Sequence, residues 1–512
     1  MEKYYIISYD IGTTGLKSCI YDNSGVLVAK KYCRYETYYP SPNCIEQKPS
    51  EWWSSICEST KSMLLELNID NSKIESISFS GHMNGCVLID KNGELIRKRT
   101  FLWADSRSKE QSIILEKNIG YDRFFLITGG GLDVSMYPAL KLLWIKEYES
   151  ENYKKIYKVL GTKDYIIFKL TGNIITDYSD ASGTGLFDIS LRKWSDEILD
   201  NLDINSCLLP DIHKSYDVVG KITSEAAKAT GLKQGTKVVA GGGDVVCASI
   251  GAGSIEPKTS YINIGSASWV SQSSRKPIID IKYRPINLCH IIDNLYASQV
   301  IMYGGGISYQ WIVDSIADLE KYFANFVNLT VYDLIELKLN KLNGNNENLL
   351  FLPFIRGGGA PYFNINSRGV LIGLSASHNK IDIIESVLEG VAFNLRSLLS
   401  FLQKYNSCKD SIAVIGGGAL SNRWCQIISN ICNKNIIRPL NLQESTSFGA
   451  AITGGVGVGL FNDFSIVKKF LKMNDNFFPD SLKAKKYKDL YGLFIEANKF
   501  FNNFFDKLSK IK

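Results

Sequence analysis

The sequence predicts an α/β protein built from two related domains. Strand-like and helix-like segments alternate along the chain, which is typical of α/β folds. Two β-rich runs, 4–9 and 259–264, each lead into a turn of small residues, and they stand about half a chain apart. With 512 residues, the chain exceeds the size that one hydrophobic core usually supports, so two large domains are expected.

The first domain is predicted to open with a β-hairpin. The segments 4–9 and 17–21 are rich in strand-forming residues and flank the turn residues 10–15. The stretch 52–67 predicts a helix, and 74–79 predicts another strand. The turn of such a hairpin can present backbone N–H groups to an anion.

The second domain is predicted to repeat this opening. A strand over 259–264, the small-residue turn 265–268 and a strand from 269 onwards form the second hairpin. Apolar residues at spacings of three and four over 381–405 predict a long helix, and 412–415 predicts a buried strand.

A stretch rich in Gly and small residues, 241–253, lies between the two openings and predicts a hinge. We therefore expect an N-terminal domain over 1–248 and a C-terminal domain over 249–512. The amphipathic segment 485–511 predicts a terminal helix that packs on the second domain. Its Lys-rich polar face leaves a membrane-surface helix as the alternative.

Composition excludes several classes of function. The net charge is +6, the charges are interspersed, and no basic stripe with stacking aromatics occurs, so nucleic-acid binding is not expected. No apolar run has the length of a signal peptide or a transmembrane helix, so we expect a cytoplasmic protein without a membrane partner. Eleven scattered Cys without a Cys-x-x-Cys pair predict reduced thiols, and the four isolated His give no protein-only metal site.

A carboxylate beside a Gly/Thr turn is the first candidate for chemistry. Asp10 follows the first strand and precedes Gly12-Thr13-Thr14-Gly15. Phosphoryl transfer needs a carboxylate near Mg²⁺ and backbone donors around the phosphates, and this segment offers both. An ordinary tight hairpin is the alternative.

Two more turns could hold a nucleotide. The turn Gly265-Ser266-Ala267-Ser268 combines close backbone approach with hydroxyl donors. The triplet Gly416-Gly417-Gly418 follows a strand and opens a helix, which suits a nucleotide at a helix N-terminus. The alternatives are a Ser-rich turn for the first and a helix–strand corner for the second.

The most suggestive segment is Gly241-Gly242-Gly243-Asp244. Three Gly after an apolar strand leave a single carboxylate at the strand end, which is a good position for a base that meets a substrate hydroxyl. A helix-capping Asp after a Gly turn is the alternative.

Taken in order, these segments resemble the motifs of the FGGY family of carbohydrate kinases, and within it most of all those of the xylulokinases. Residues 9–14 and 264–268 resemble the two phosphate motifs, and 242–244 resembles the catalytic-base motif. The further matches are 416–422 for the adenosine motif, Glu444 with 448–451 for the segment that closes the nucleotide site, 80–85 for the sugar loop, 102–107 for the Trp-x-Asp-x-Arg segment, and 176–184 for a stretch typical of xylulokinases.

The resemblance implies two actin-like (ribonuclease H-like) ATPase domains around a central cleft, with ATP and Mg²⁺ as cofactors and a small sugar as partner. It implies that Asp244 is the catalytic base and that Asp10 holds Mg²⁺ through water. The implied sugar contacts are His82, Met83, Asn84, Trp103, Asp105 and Asp244. The implied ATP contacts are Thr13, Thr14, Gly265, Ser266, Ser268, Gly305, Gly417, Gly418 and Asn422.

The chain departs from the xylulokinase pattern at the sugar contacts. His82-Met83-Asn84 stands where Gln-Met-His is usual, Val245 replaces an Asn, and the loop 356–361 lacks the usual Gly-Glu-Arg. Asn84 could replace the usual His because its amide both donates and accepts. Val245 forms no side-chain hydrogen bond, which would suit a substrate with one fewer hydroxyl.

The predicted reaction is ATP-dependent phosphorylation of D-xylulose to D-xylulose 5-phosphate. The alternatives within the same chemistry are another ketose, a polyol or an aldonate, such as ribulose, erythrulose, erythritol, gluconate or a signalling sugar. Alternatives of other kinds are a nucleotide-dependent chaperone or filament protein on the same fold and a degenerate regulatory kinase, because fold alone does not separate these classes. The sequence leaves the oligomeric state open and allows a homodimer.

Overall fold

The computed structural model of the chain describes residues 2–341, 348–440, 442–471 and 473–511. The strands, in chain order, are β1 (Tyr5–Ile11), β2 (Gly15–Asp22), β3 (Leu27–Arg34), β4 (Tyr38–Ser41), β5 (Cys44–Gln47), β6 (Ile74–Gly81), β7 (Val87–Ile89), β8 (Thr100–Phe101), β9 (Lys158–Leu160), β10 (Ile175–Asp177), β11 (Phe187–Asp188), β12 (Lys193–Trp194), β13 (Asp211–His213), β14 (Val218–Lys221), β15 (Lys237–Val239), β16 (Gly242–Gly243), β17 (Ser260–Ile264), β18 (Ser268–Ser274), β19 (Ile286–Cys289), β20 (Tyr296–Met302), β21 (Leu350–Leu352), β22 (Val370–Ile372), β23 (Ser411–Ile415), β24 (Asn435–Pro439) and β25 (Met473–Phe477).

The α-helices are α1 (Pro49–Glu66), α2 (Ser112–Asn118), α3 (Tyr121–Thr128), α4 (Pro138–Tyr148), α5 (Ser150–Lys155), α6 (Thr162–Thr171), α7 (Tyr178–Ser182), α8 (Asp196–Leu202), α9 (Ser224–Thr230), α10 (Asp244–Gly251), α11 (Gly306–Ile316), α12 (Asp318–Val327), α13 (Val331–Lys341), α14 (Lys380–Gln403), α15 (Asn422–Cys432), α16 (Ser445–Gly457), α17 (Ile466–Phe470) and α18 (Ser481–Leu508). Short 3₁₀ turns lie at Asn71–Lys73, Arg107–Lys109, Val134–Met136, Ser206–Leu208, Gly417–Leu420 and Leu442–Glu444. None of the helices in these described ranges is long and apolar enough to cross a membrane.

The chain packs as two units, each assembled from separate segments. The first unit contains Met1–Pro257, Ser273–Ser298 and Glu444–Leu471. The second contains Lys258–Gln272, Gln299–Gln443 and Lys472–Lys512. The domain division predicted after residue 248 stays a prediction, and that residue lies inside α10.

The first unit is a sheet covered by helices on both faces. Its strands follow the order β14-β15-β6-β1-β2-β3, and β16 also pairs with β6. The predicted hairpin is the antiparallel pair β1–β2, and β6 runs parallel to β1. Helices α1, α6 and α9 bury apolar side chains in one core cluster with the sheet, and α16 contacts β1 and β6. Both faces of β1 are largely buried, as expected for a central strand of an α/β layer.

The second unit repeats the arrangement of hairpin and parallel strand. Its neighbouring strands follow the order β20-β18-β17-β23-β24-β25, with β17–β18 antiparallel and β17–β23 parallel. The long helix α14 is buried along most of its length and contacts α11, α15 and β21. The terminal helix α18 packs in this unit, where the buried Phe494 stacks on Phe393 at a centroid distance of 5.5 Å. The fold class expected from the sequence is therefore present in each unit.

Candidate active site

The carboxylate of Asp10 lies near the end of the central strand of the first unit. The strand register places it beside Lys17 on β2 and Ser80 on β6. The Ser80 hydroxyl donates a hydrogen bond of 2.8 Å to Asp10 Oδ1. Burial raises the pKa of Asp10, and the charge of Lys17 and the Ser80 hydrogen bond oppose part of that rise.

The turn after Asp10 is held through its backbone carbonyls. The Tyr35 hydroxyl donates to the Gly12 carbonyl, and the Gln47 amide donates to the Thr13 carbonyl at 2.6 Å. The Thr14 side chain remains exposed. Thr13 Oγ1 and Thr14 Oγ1 accept hydrogen bonds from Trp103 Nε1 and the Tyr32 hydroxyl, each at 3.2 Å, so both threonines can still donate their hydroxyl protons to a phosphate.

Asp244 is brought to the same edge of the sheet by a two-residue strand. Gly243 of β16 stands opposite Gly81 at the end of β6, and Asp244 is the first residue of α10. The N-cap of α10 is Gly243, so the reading of Asp244 as the cap residue is wrong. Asp244 Oδ1 accepts the Val245 N–H at 2.8 Å.

The acid strength of Asp244 is set by its surroundings. Burial raises the pKa of this half-buried carboxyl to about 7, and the negative charge of Asp10 contributes to the rise. A general base works best when its pKa lies near the operating pH. The two carboxylates singled out from the sequence therefore lie near each other, and the charge of Asp10 disfavours the ionisation of Asp244.

Glycine is required next to Asp244 because other chain segments lie very close. Gly241 has a φ of +69°, and a Cβ there would stand 2.2 Å from the Phe79 carbonyl oxygen. A Cβ on Gly243 would stand 2.5 Å from Met83 Sδ. These contacts pack the loop before Asp244 directly against β6 and the sugar loop that follows it.

The sugar loop, residues 80–85, begins at the end of β6. It contains His82, which the protein itself engages, and the two candidate sugar contacts Met83 and Asn84. His82 is buried. Its backbone N–H donates to the Ile11 carbonyl at 2.9 Å, and its ring Nδ1 lies 3.2 Å from Thr162 Oγ1. Burial lowers the pKa of His82 to about 4, so the ring is neutral. Asn84 has a φ of +59°, and its buried Nδ2 has no hydrogen-bond partner within the described part of the chain.

The Trp-x-Asp-x-Arg segment contributes one exposed ring and one buried ion pair. Trp103 is 39% exposed, and its Nε1 donates to Thr13 Oγ1 at 3.2 Å. Asp105 is 0% exposed and accepts the Ile45 N–H at 2.7 Å and Arg107 Nη2 at 2.7 Å. Its carboxylate is thus engaged by the protein, which favours a role in holding the segment.

Lys141 connects these two segments and was not identified from the sequence. Its fully buried Nζ donates to the Asn84 carbonyl at 3.1 Å and to the Leu102 carbonyl at 2.7 Å. Burial lowers the pKa of Lys141 to about 8. The one available signal was a single Lys within the apolar run 139–143, because a buried lysine needs polar partners.

In the second unit, the turn 265–268 packs against the start of α11. The Gly306 N–H donates to the Gly265 carbonyl at 2.7 Å, and the Ile307 N–H donates to the Ser266 carbonyl at 3.2 Å. A Cβ on Gly305 would stand 2.0 Å from Ser268 Oγ, so only glycine fits there. Ser266 is exposed and Ser268 is buried, which makes Ser266 the more accessible hydroxyl.

The predicted adenosine motif occupies the end of β23 and the start of α15. Gly417 and Asn422 are exposed, and a Cβ on Gly417 would meet no atom within 4 Å. A Cβ on Gly418 would stand 2.3 Å from Ile264 Cγ2, so this glycine packs against the neighbouring strand β17. Gly417 therefore has free space around it, whereas position 418 must be glycine because it packs against β17.

The segment from Glu444 belongs to the first unit. Glu444 Oε1 lies 2.9 Å from Lys30 Nζ, and α16, which follows, packs against α10. A Cβ on Gly449 would stand 1.9 Å from the Cys247 carbonyl oxygen, so the two helices are in backbone contact. Over the described residues, no group of three or more His, Cys, Asp or Glu side chains is arranged to hold a metal ion.

Comparison with known proteins gives matches along nearly the whole chain. The N-terminal domain model of the FGGY family of carbohydrate kinases matches residues 5–251, and the C-terminal domain model matches residues 261–458. The xylulose kinase of Staphylococcus xylosus is 28% identical over 491 residues, which cover 96% of this chain and 99% of that protein.

Solved structures of sugar kinases are also similar to this chain over nearly its whole length. The ligand-bound xylulose kinase of Lactobacillus acidophilus has a TM-score of 0.88 at 29% identity and covers 99% of this chain and 100% of its own. The gluconate kinase of Lactobacillus acidophilus has the same TM-score, identity and coverage.

Proposed function

Because the chain belongs to the FGGY family of carbohydrate kinases, we propose that this sugar kinase phosphorylates D-xylulose at its terminal hydroxyl, with Asp244 as the catalytic base. The observation that carries the catalytic role is the position of Asp244 at the sheet edge beside Asp10, with a pKa of about 7. ATP supplies the phosphoryl group, and Mg²⁺ neutralises part of the phosphate charge.

Asp244 accepts the proton of the sugar hydroxyl as that oxygen bonds to the γ-phosphorus and the bond from phosphorus to the leaving ADP oxygen breaks. Above a pH of about 7 the carboxylate is ionised and ready to accept the proton. Phosphoryl transfer depends mainly on positioning and charge neutralisation, so one well-placed carboxylate suffices as the protein's acid–base group.

Asp10 is proposed to hold Mg²⁺ through water. Burial raises the pKa of both carboxyls, and the charge of Asp10 adds to the rise at Asp244, so a divalent cation beside them would relieve the repulsion. Thr13 and Thr14 are proposed to contact the phosphates. The proposed ATP-binding residues of the second unit are Gly265, Ser266, Ser268, Gly305, Gly417, Gly418 and Asn422.

Asn84 is the proposed polar contact for the sugar, because its buried Nδ2 lacks a partner and an unpaired buried donor costs about 1 to 3 kcal/mol. Met83 and the exposed Trp103 are proposed to contact the carbon chain of the sugar. His82 and Asp105 are proposed to support these contacts by holding the two segments in place.

The charges below the sugar loop favour a neutral ketose over gluconate. Lys141 and Lys163 lie under this loop, and buried acceptors already engage both ammonium groups. In gluconate the carboxylate stands at the opposite end of the carbon chain from the terminal hydroxyl that meets Asp244, so it would need a cationic partner of its own in the sugar pocket. Gluconate remains the second candidate, because the solved gluconate kinase is as similar to the chain as the xylulose kinase.

A panel of acceptors tests the substrate. ADP release is measured for D-xylulose, D-ribulose, L-ribulose, erythrulose, erythritol and D-gluconate, with a sample without sugar as the control. We expect the highest kcat/KM for D-xylulose. If another acceptor exceeds it more than ~100-fold, about 2.7 kcal/mol in transition-state binding, the assignment of D-xylulose is wrong.

A further inference from the structure

A buried charged cluster lies below the loop that carries Asp244. Lys163 is fully buried at the start of α6, and its Nζ lies 2.6 Å from Asp164 Oδ1, 2.8 Å from Asp177 Oδ1 and 3.1 Å from Asp180 Oδ2. Burial alone would lower the pKa of Lys163, but the three carboxylates raise it well above its usual value. The ammonium group is therefore charged.

Asp177 connects this cluster to two serines. Its Oδ2 accepts the Ser179 hydroxyl at 2.6 Å, the Ser179 N–H at 2.9 Å and the Ser215 hydroxyl at 2.7 Å. Asp177 and Ser179 are fully buried, and Ser215 is nearly so. Since a carboxylate only accepts hydrogen bonds, both serine hydroxyls must direct their protons towards Asp177.

The two serines hold both ends of the glycine loop. The Gly243 N–H donates to Ser179 Oγ at 2.9 Å, and the Gly241 N–H donates to the Ser215 carbonyl at 2.8 Å. Because the Ser179 hydroxyl donates its proton to Asp177, the lone pairs of Ser179 Oγ are free to accept the Gly243 N–H. A continuous chain of polar contacts thus joins Lys163, Asp177, Ser179 and Gly243, and ends one residue before Asp244.

These polar contacts can fix the geometry of a loop that contains three glycines. Glycine loses more conformational freedom on folding than any other residue, so a Gly triplet has little intrinsic reason to hold one geometry. Burying a lysine among carboxylates adds little net stability compared with an apolar core, so we infer that the contact of Lys163 with Asp177 serves to orient the Asp177 carboxylate. A misplacement of a catalytic group by about 1 Å can cost about 100-fold in rate.

We propose that Lys163, Asp177 and Ser179 are positioning residues that hold the 241–243 loop so that the Asp244 carboxylate faces the reacting hydroxyl. This proposal rests on the proposed role of Asp244. The three side chains act through the loop backbone, because they are buried and engaged with one another.

The kinetic test uses Ser179→Ala, which removes the acceptor for the Gly243 N–H. We expect kcat to fall at least ~10-fold while KM for ATP and for the sugar stays within about 3-fold, as for the loss of an interaction made in the transition state. Ser179→Thr keeps the hydroxyl and should recover most of the loss. Ser59→Ala is the matched control, since Ser59 is a buried serine on α1 whose hydroxyl lies 2.8 Å from Ser18 Oγ.

A kcat for Ser179→Ala within twofold of the wild type would overturn the proposal. So would an equal loss in Ser59→Ala, because the effect would then reflect general destabilisation. Amide hydrogen exchange without ligands provides a readout that does not depend on activity. Peptides spanning 238–246 should exchange faster in Ser179→Ala and unchanged in Ser59→Ala.

The two proposals fail in different ways. Unchanged exchange over 238–246 in Ser179→Ala would show that the serine does not hold the loop, whatever the activity. If exchange and kcat respond as expected but Asp244→Asn retains full turnover, the loop is held as described and the role of Asp244 is wrong. In that case the link from the loop to catalysis through Asp244 is overturned.

Discussion

At the scale of single residues, the site depends on how burial and the charge of Asp10 affect Asp244. Both lie at the same edge of the first sheet, and burial raises the pKa of each. The charge of Asp10 adds to the rise at Asp244, so a carboxyl that ordinarily ionises near pH 4 titrates near neutrality. This shift allows a carboxylate to accept a proton efficiently at physiological pH.

The pH dependence of the reaction follows from this shift. The ionised carboxylate is the active form of Asp244, so kcat/KM for the sugar should fall below a pH of about 7, approaching tenfold per pH unit. Measurement at low, subsaturating ATP reports the ionisation of the unliganded enzyme. A kcat/KM that stays flat down to pH 5 would contradict the assigned base.

Replacement of Asp10 by Ala tests the proposed metal contact. The variant should need more Mg²⁺ for half-maximal turnover, because a hard cation is held by carboxylate, water and phosphate oxygens. KM for the sugar should change much less. The measurement is a Mg²⁺ titration of ADP release at saturating sugar, and an unchanged Mg²⁺ requirement would rule out the role given to Asp10.

The sequence identifies residues whose chemistry shows in their immediate neighbours. Asp10 and Asp244 stand out because turn residues and glycines surround them. The stretch 176–184, which contains Asp177 and Ser179, was matched as a motif, but its link to the catalytic loop was not, because that link is one hydrogen bond from the Gly243 N–H to Ser179 Oγ that spans 64 residues. For the same reason, the sequence could not show that His82 and Asp105 are buried and engaged by the protein.

At the scale of elements, periodicity and turn residues were sufficient to predict the main features. The helix predicted over 381–405 is α14, Lys380–Gln403, and the strand predicted over 412–415 is β23, Ser411–Ile415. The terminal helix begins at Ser481, before the predicted 485, because Asp480 caps it by accepting the Leu482 and Lys483 N–H groups. A cap defines a helix start more sharply than the apolar pattern does.

The nucleotide motif can be tested at one of its glycines. Gly417→Ala should raise KM for ATP at least ~5-fold, because the added methyl group enters exposed space that is proposed to receive the nucleotide. The melting temperature and KM for the sugar should not change, since no atom lies within 4 Å of the added Cβ. Gly492→Ala, at an equally open glycine of α18, is the control. An unchanged KM for ATP would remove Gly417 from the proposed site.

At the scale of the whole molecule, the repeated hairpin and parallel strand explain why the fold class could be predicted. Asp10 lies near the end of β1, and the turn 265–268 follows the equivalent strand β17 in the second unit. The assembly of the first unit from separate segments could not be predicted from the sequence. Glu444–Leu471 joins it through the packing of α16 on α10, where Gly449 touches the backbone at Cys247. No local pattern in the sequence encodes such a long-range contact.

Sugar-dependent ADP release by Asp244→Asn tests the central claim most directly. The variant is compared with the wild type and with Asp196→Asn, which changes the first residue of α8 in the same way and is not part of the proposed site. With the best acceptor of the panel, we predict a loss of turnover of about 10² to 10⁴ for Asp244→Asn, with ATP affinity and melting temperature retained. Asp196→Asn should stay within twofold of the wild type. If Asp244→Asn keeps more than half of the wild-type rate, Asp244 is not the base.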